Sequence, residues 1–248
     1  MSSRTAIEWT EATWNPTTGC DRTSPGCDNC YALSLAKRLK VMGNPKYQND
    51  GDPRTSGPGF RLTLHESALD LPRHWATPRL IFVNSMSDLF HPAVPEEFIE
   101  RVLAVIEETP RHTYQLLTKR SKRLARLSSA LRWPRNLWVG VSVESASYKY
   151  RIAHLQEVPA PTRFLSIEPL IAPVGDLDLD GIHWVIAGGE SGFAHRPVSY
   201  EWIASIRDQC VARQVPFFFK QWGGRTPHAA GRHQDGQLWD EMPIASVG

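Results

Sequence analysis

Six short apolar runs separated by amphipathic stretches set the strongest limit on what this chain can fold into. Arg79–Val83, His112–Leu117, Asn136–Val143, Arg163–Ile167, Trp184–Ala187 and Pro216–Phe219 read as buried strands. Pro95–Glu108, Ser121–Leu131, Ser145–Gln156 and Tyr200–Gln214 carry apolar residues at helical spacing between them. Strands that alternate with helices imply parallel β/α units. With a short strand expected just before Cys20, six or seven strands suit a partial α/β barrel, a parallel β/α barrel left incomplete. A doubly wound open sheet is the competing architecture, and periodicity alone does not separate the two. At 248 residues and 41% hydrophobic content the chain is expected to form one domain spanning 1–248.

Each apolar run leads straight into polar residues. Asn84, Ser85, Ser87 and Asp88 follow the first, with His91 just beyond; Lys119 and Arg120 follow the second, and Ser142 and Glu144 close the third. Ser166 and Glu168, Gly188, Gly189 and Glu190, then Lys220, Gln221 and Trp222 complete the series. In a β/α barrel the carboxyl ends of the strands form one mouth where sites are built. Glycines permit close backbone approach, and a carboxylate beside them can bind an ammonium.

Chemistry concentrates before the first long strand. Of only four cysteines, Cys20, Cys27 and Cys30 lie in the loop 14–32 with spacing C-x6-C-x2-C, and a helix is expected from Tyr31 to the stop at Gly43 and Pro45. A C-x2-C pair lets two thiolates converge on one metal centre. Three ligands fall one short of a closed zinc site, whereas a four-iron cluster held by three cysteines keeps one iron open. Cys210, within the Tyr200–Gln214 helix, reads as a buried core residue. The run 44–60, rich in Gly, Pro, Asn and Asp, is a long insertion loop and a candidate lid; residues 64–75 form a short helical piece broken at Pro72.

Net charge is +2, so no global basic field of a dedicated nucleic-acid binder is present. Lys119, Arg120, Lys122, Arg123, Arg126, Arg132 and Arg135 form the most basic stretch, which reads either as a solvated helix face or as a phosphate-binding edge. No apolar run is long enough to span a bilayer and the first residues lack a signal-peptide pattern. The expectation is a cytoplasmic protein with no membrane partner, where clustered thiols hold metal in preference to disulfides.

The segment NPTTGC…GCDNCYA resembles the cysteine loop of the radical S-adenosylmethionine (SAM) superfamily, in its spore photoproduct lyase-like branch. There the usual first gap is three residues, against six here. IEWTEATWNP, LLTKR, SIEPL, AGGESG and FFKQWGG are also similar to a phage- and bacteria-associated three-cysteine family of unassigned function. The resemblance implies a 4Fe-4S cluster on Cys20, Cys27 and Cys30, with S-adenosyl-L-methionine at the open iron. It implies reductive release of a 5′-deoxyadenosyl radical and an electron donor such as flavodoxin or ferredoxin. Cofactor contacts are expected from Asn84, Ser85, Ser87, Asp88, Ser142, Glu144 and Glu168, and from the GGE turn Gly188, Gly189 and Glu190. A nucleic acid or nucleotide is the expected substrate, with Lys119, Arg120, Lys220 and Trp222 as contacts. No residue is singled out as catalytic. The rivals are a zinc-stabilised nucleic-acid-binding module and a metal-independent β/α-barrel hydrolase with Glu144 and Glu168 as acid and base.

Overall fold

The computed structural model describes residue 5, residues 7–227 and residues 229–243. The expectation about the first residues, and the outer ends of the 1–248 domain span, lie outside them. Seven strands form one sheet: β1 (Ala12–Trp14), β2 (Leu80–Val83), β3 (Thr113–Thr118), β4 (Leu137–Ser142), β5 (Thr162–Ile167), β6 (Trp184–Gly188) and β7 (Phe217–Gln221). The helices are α1 (Tyr31–Val41), α2 (Glu96–Glu108), α3 (Ser121–Leu127), α4 (Tyr150–Gln156) and α5 (Tyr200–Ala212).

Every neighbouring pair is parallel, and the spatial order follows the chain order from β1 to β7. That order settles the architecture. A doubly wound sheet reverses its strand order at a switch point and carries helices on both faces; here the winding never reverses, and the sheet curls into a half-barrel. Outward residues such as Ile81, Leu116, Val139, Val141, Leu165, Val185 and Phe217 pack with α2, α3, α4 and α5 in one large core. Because both faces of the inner strands are covered, β4 (LWVGVS) and β6 (WVIAG) are buried at every position. This is why they read as continuous apolar runs and not as alternating ones.

The concave face holds a separate cluster of Trp9, Phe82, Trp138, Phe164, Trp184, Ile186 and Phe218. Trp184 is at its centre, with ring centroids 6.2, 5.8, 5.7 and 6.1 Å from Trp9, Trp138, Phe164 and Phe218. Gly140 makes room for it, since a Cβ there would stand 2.5 Å from the Phe164 ring. The edge of β7 is covered by the segment ending at Glu241: Phe219 N–H donates to Trp239 O at 2.9 Å and Glu241 N–H to Phe217 O at 3.2 Å. Covering an edge in this way removes a pairing hazard.

Three local details differ from the sequence pattern. The helix expected to reach Leu131 ends at Leu127, where the Ser128 side chain donates to Ala125 O at 2.7 Å and competes with helix propagation. Ser145–Gln156 divides into a 3-10 turn, Ala146–Tyr148, and α4. Residues 64–75 form two 3-10 turns, Glu66–Ala68 and Leu71–His74, with Pro72 inside the second. The loop 44–60 is bound to the rest of the molecule: Tyr47, Ser56 and Phe60 are buried. Within it Asp50 accepts from Lys40 at 2.6 Å and from Gly59 N–H at 2.7 Å.

Candidate functional site

β1 ends at Trp14, and the chain runs directly into the cysteine loop at the carboxyl end of the sheet. The polar residues after β2 hold that exit in place. Asn84 sits in the left-handed region at φ 59°, donates its N–H to Trp14 O at 2.8 Å and accepts from Thr17 N–H through Oδ1 at 3.3 Å. Ser85 pairs with Asn15, and Ser87 with Thr17 Oγ1 at 2.6 Å. Gly19, at φ +85°, bridges Ser87, and a Cβ on it would stand 2.2 Å from Arg61 O; no other residue fits there. Asp88 accepts from Thr118 Oγ1, from Lys119 N–H at 3.1 Å and from Phe90 N–H at 2.9 Å.

Four further elements grip the loop. At its start, Cys20 N–H donates to Phe60 O and Arg22 N–H to Thr55 O, so the 44–60 segment forms a collar around it. Asp21 accepts from Thr55 Oγ1 at 2.7 Å and from His91 Nε2 at 2.8 Å. Since Ala93 N–H donates to Nδ1, the His91 proton belongs on Nε2. Arg120 donates to Asp21 O at 3.0 Å and lies 3.8 Å from the Cys20 sulfur.

In the middle, Ser24 Oγ donates to Glu144 Oε1 at 2.6 Å. Glu144 is fully buried and meets the Lys119 ammonium at 3.2 Å and the Arg151 guanidinium at 2.8 Å. Burial raises its carboxyl pKa, yet Lys119, Arg151 and Ser24 outweigh burial and hold it below the ordinary range. Glu144 is therefore an ionised buttress and does not carry the proton a general acid needs. At the far end, Glu190 accepts from Asn29 Nδ2 at 2.9 Å and from Arg196 on both oxygens, while Arg196 also donates to Pro25 O at 2.9 Å. Here too burial pushes up, but Arg196 and Asn29 win and the carboxyl is lowered. The GGE turn is tightly packed: a Cβ on Gly189 would stand 2.1 Å from Trp222 O.

Each thiol has its own surroundings. Burial, aided by the Asp88 carboxylate, pushes Cys20 up to about 12 despite Arg120. Burial also raises Cys30, against the N–H groups of Leu33 and Ala32 at the start of α1. For Cys27 burial is outweighed by Lys119 and by donors from Thr23 and Ser24, and its thiol is lowered. Cys27 lies within electrostatic reach of both other thiols. All four cysteines are free, and Cys210 is fully buried in the helix-side core, apart from Cys20 and Cys30. Among the described residues, no three His, Cys, Asp or Glu side chains are gathered as a metal-ion site.

Lys220 pairs with Glu168 at 2.5 Å, and Ser142 O accepts from Arg151 at 2.7 Å. Trp222 packs on Phe219 and stacks on Tyr200, and its indole N–H donates to His233 O at 2.9 Å; it closes the core beside β7. The basic stretch does not act as one face: Lys119 and Arg120 face the cysteine loop, Arg123 donates to His91 O and Val94 O, and Arg126 pairs with Glu96 at 3.4 Å. The sequence reading omitted Ser24, Asn29, Arg151 and Arg196. Arg151 alone left a signal, as an arginine on the helical face shared with Ile152 and Leu155.

The fold and the site define a class: a parallel half-barrel with a three-cysteine loop at the carboxyl end of its strands. Within that class, residues 4–243 match the family described as "Protein of unknown function (DUF5131)", and the chain belongs to that family. Among solved structures it is similar to a spore photoproduct lyase variant carrying a cysteine-to-serine substitution, with TM-score 0.50 and 11% identity. That match covers 87% of this chain and 57% of the other, so this chain spans less than two thirds of that protein's length. At this identity the likeness is one of fold. No curated protein matches.

Proposed function

We propose that this protein is an iron–sulfur enzyme of the radical SAM type, with Cys20, Cys27 and Cys30 as the cluster ligands and a nucleic acid or nucleotide as substrate. The observation that carries the reading is the position of the three cysteines, in one gripped loop at the carboxyl end of the half-barrel with cations beside two of them. Cys20 faces Arg120, Cys27 faces Lys119 and two hydroxyls, and Cys30 faces the first N–H groups of α1. Cations and hydrogen bonds aimed at the sulfurs are what a cluster of negative sulfur ligands requires. The half-barrel likeness to a spore photoproduct lyase supports it. A cluster bound there supplies one-electron reduction of S-adenosylmethionine, the hard step of the chemistry.

The chain's own residues do the rest. Glu144, through Ser24, and Glu190, through Asn29, fix the loop from two sides, while Lys119, half-buried against Glu144, brings positive charge to Cys27. The aromatic floor of the lumen keeps water out from below. Ser85, Ser142, Ser166 and the Lys220–Glu168 pair, at or just past the strand ends, are the groups assigned to orient a bound cofactor. After anaerobic reconstitution, dithionite and S-adenosylmethionine are expected to yield 5′-deoxyadenosine, and Cys27→Ala to abolish it. Product formation that survives the substitution removes Cys27 from the ligand set.

A further inference from the structure

Beyond the lumen, the carboxyl-end rim carries an aromatic ring that nothing covers. Phe193 is 88% exposed, in the run Ser191-Gly192-Phe193-Ala194-His195-Arg196. Its loop is fixed on both sides. Ser191 bridges Gly224 and Gly192 N–H donates to Gly224 O at 2.9 Å, while Asn29 of the cysteine loop donates to Ala194 O at 2.9 Å. The Arg225 guanidinium stands 5.6 Å from the ring centroid, and among the described residues no carboxylate pairs with it. A second cation–aromatic pair occurs where α4 begins, on a ring that also packs against Tyr148 and His154. Tyr150 is 45% exposed, with Lys122 Nζ 5.9 Å from its centroid. The two rings follow Glu144 and Glu190, the two carboxylates that grip the cysteine loop, while their cations come from α3 and from the segment after β7.

Leaving a Phe side chain in water forgoes about 1.5–3 kcal/mol of burial. Phe193 is alone among small and polar neighbours, whereas a protein interface wants a contiguous apolar centre. A single π-face beside a cation matches a base and its phosphate. We propose that Phe193–Arg225, with Tyr150–Lys122 between α4 and α3, forms a platform for single-stranded nucleic acid, the rings stacking bases and the cations contacting phosphates. The inference rests on the nucleic-acid part of the function proposed above and is independent of the cluster.

Fluorescence anisotropy of the full-length, metal-free protein with labelled oligothymidylate and oligouridylate tests it. Wild type binds at least one of the two, more weakly as salt rises. Phe193→Ala weakens that binding at least about fivefold, the low end of what one stacked base contributes, and Phe193→Trp restores it. Arg225→Ala weakens binding and flattens its salt dependence by about 0.7 in log–log slope. Since Phe193 is exposed, unchanged thermal melting confirms that its variants fold. Binding of neither oligonucleotide, or equal binding by Phe193→Ala, overturns the proposal. A loss confined to S-adenosylmethionine binding by the reconstituted protein overturns it in favour of the cofactor's adenine. Oligonucleotide binding and iron content are read separately, so failure here and failure of the cluster assignment are distinct results.

Discussion

At the amino end of the lumen, Phe82, Trp138, Phe164, Trp184 and Phe218 interlock with Trp9 into a sealed apolar floor. Toward the carboxyl end of the same strands the inward residues change to Ser142, Ser166 and Lys220, and just past the strand ends to Glu144, Glu168 and Glu190. Along β4 the series is Trp138, Gly140, Ser142 and Glu144, at the two-residue spacing that keeps side chains on one face. One end of the lumen holds the sheet together by packing; the other holds the cysteine loop by hydrogen bonds from ion-paired side chains. The difference teaches that stability and chemistry are divided along the strands, so substitutions at the two ends are expected to give different signatures.

The largest effect belongs to the floor. Trp184→Ala is expected to cost about 3–5 kcal/mol in urea unfolding, with iron content per folded molecule unchanged. A fall in iron content without a fall in stability would break the division. Glu144→Gln is the matching change at the mouth. It leaves the buried Arg151 and the half-buried Lys119 without their carboxylate, at a cost of about 3 kcal/mol, and here iron incorporation falls as well. Because the folded-state pKa of Glu144 lies below its unfolded value, its stabilisation is fully present above about pH 4.3. It is lost as pH falls through the lower folded value, so Glu144→Gln should flatten the acid limb of stability against pH. A limb as steep as that of wild type would remove Glu144 as its source. Tyr31→Phe is the smallest change: it removes the 2.5 Å hydrogen bond from Tyr31 to Ser85 O and should cost about 0.5–1.5 kcal/mol, seen as a small shift of the urea midpoint.

The floor was far more legible in the sequence than the mouth. Apolar runs such as LWVGVS and WVIAG declare themselves because burial on both faces demands nothing else. Strand order stayed hidden, since a half-barrel and a doubly wound sheet use the same local pattern. At the mouth, the cysteine spacing marked the loop, and polar residues after each strand marked the rim. Which polar group meets which could not be read from order in the chain. Asn84, Ser87 and Asp88 hold the β1 exit and neighbouring backbone, and Glu190 is engaged by Arg196 and Asn29. Those partners lie between 6 and 161 residues away in sequence. Ser24 and Glu144 are 120 residues apart, and only the folded chain brings them together.

The proposed cluster requires all three loop thiols. Iron and acid-labile sulfide measured on anaerobically reconstituted wild type, and on Cys20→Ala, Cys27→Ala and Cys30→Ala, test this most directly. The expected result is about four irons and four sulfides per chain in wild type, with loss in each variant and no loss in Cys210→Ala. A colourless wild-type protein holding a single zinc, or iron retained by the loop variants, would contradict it.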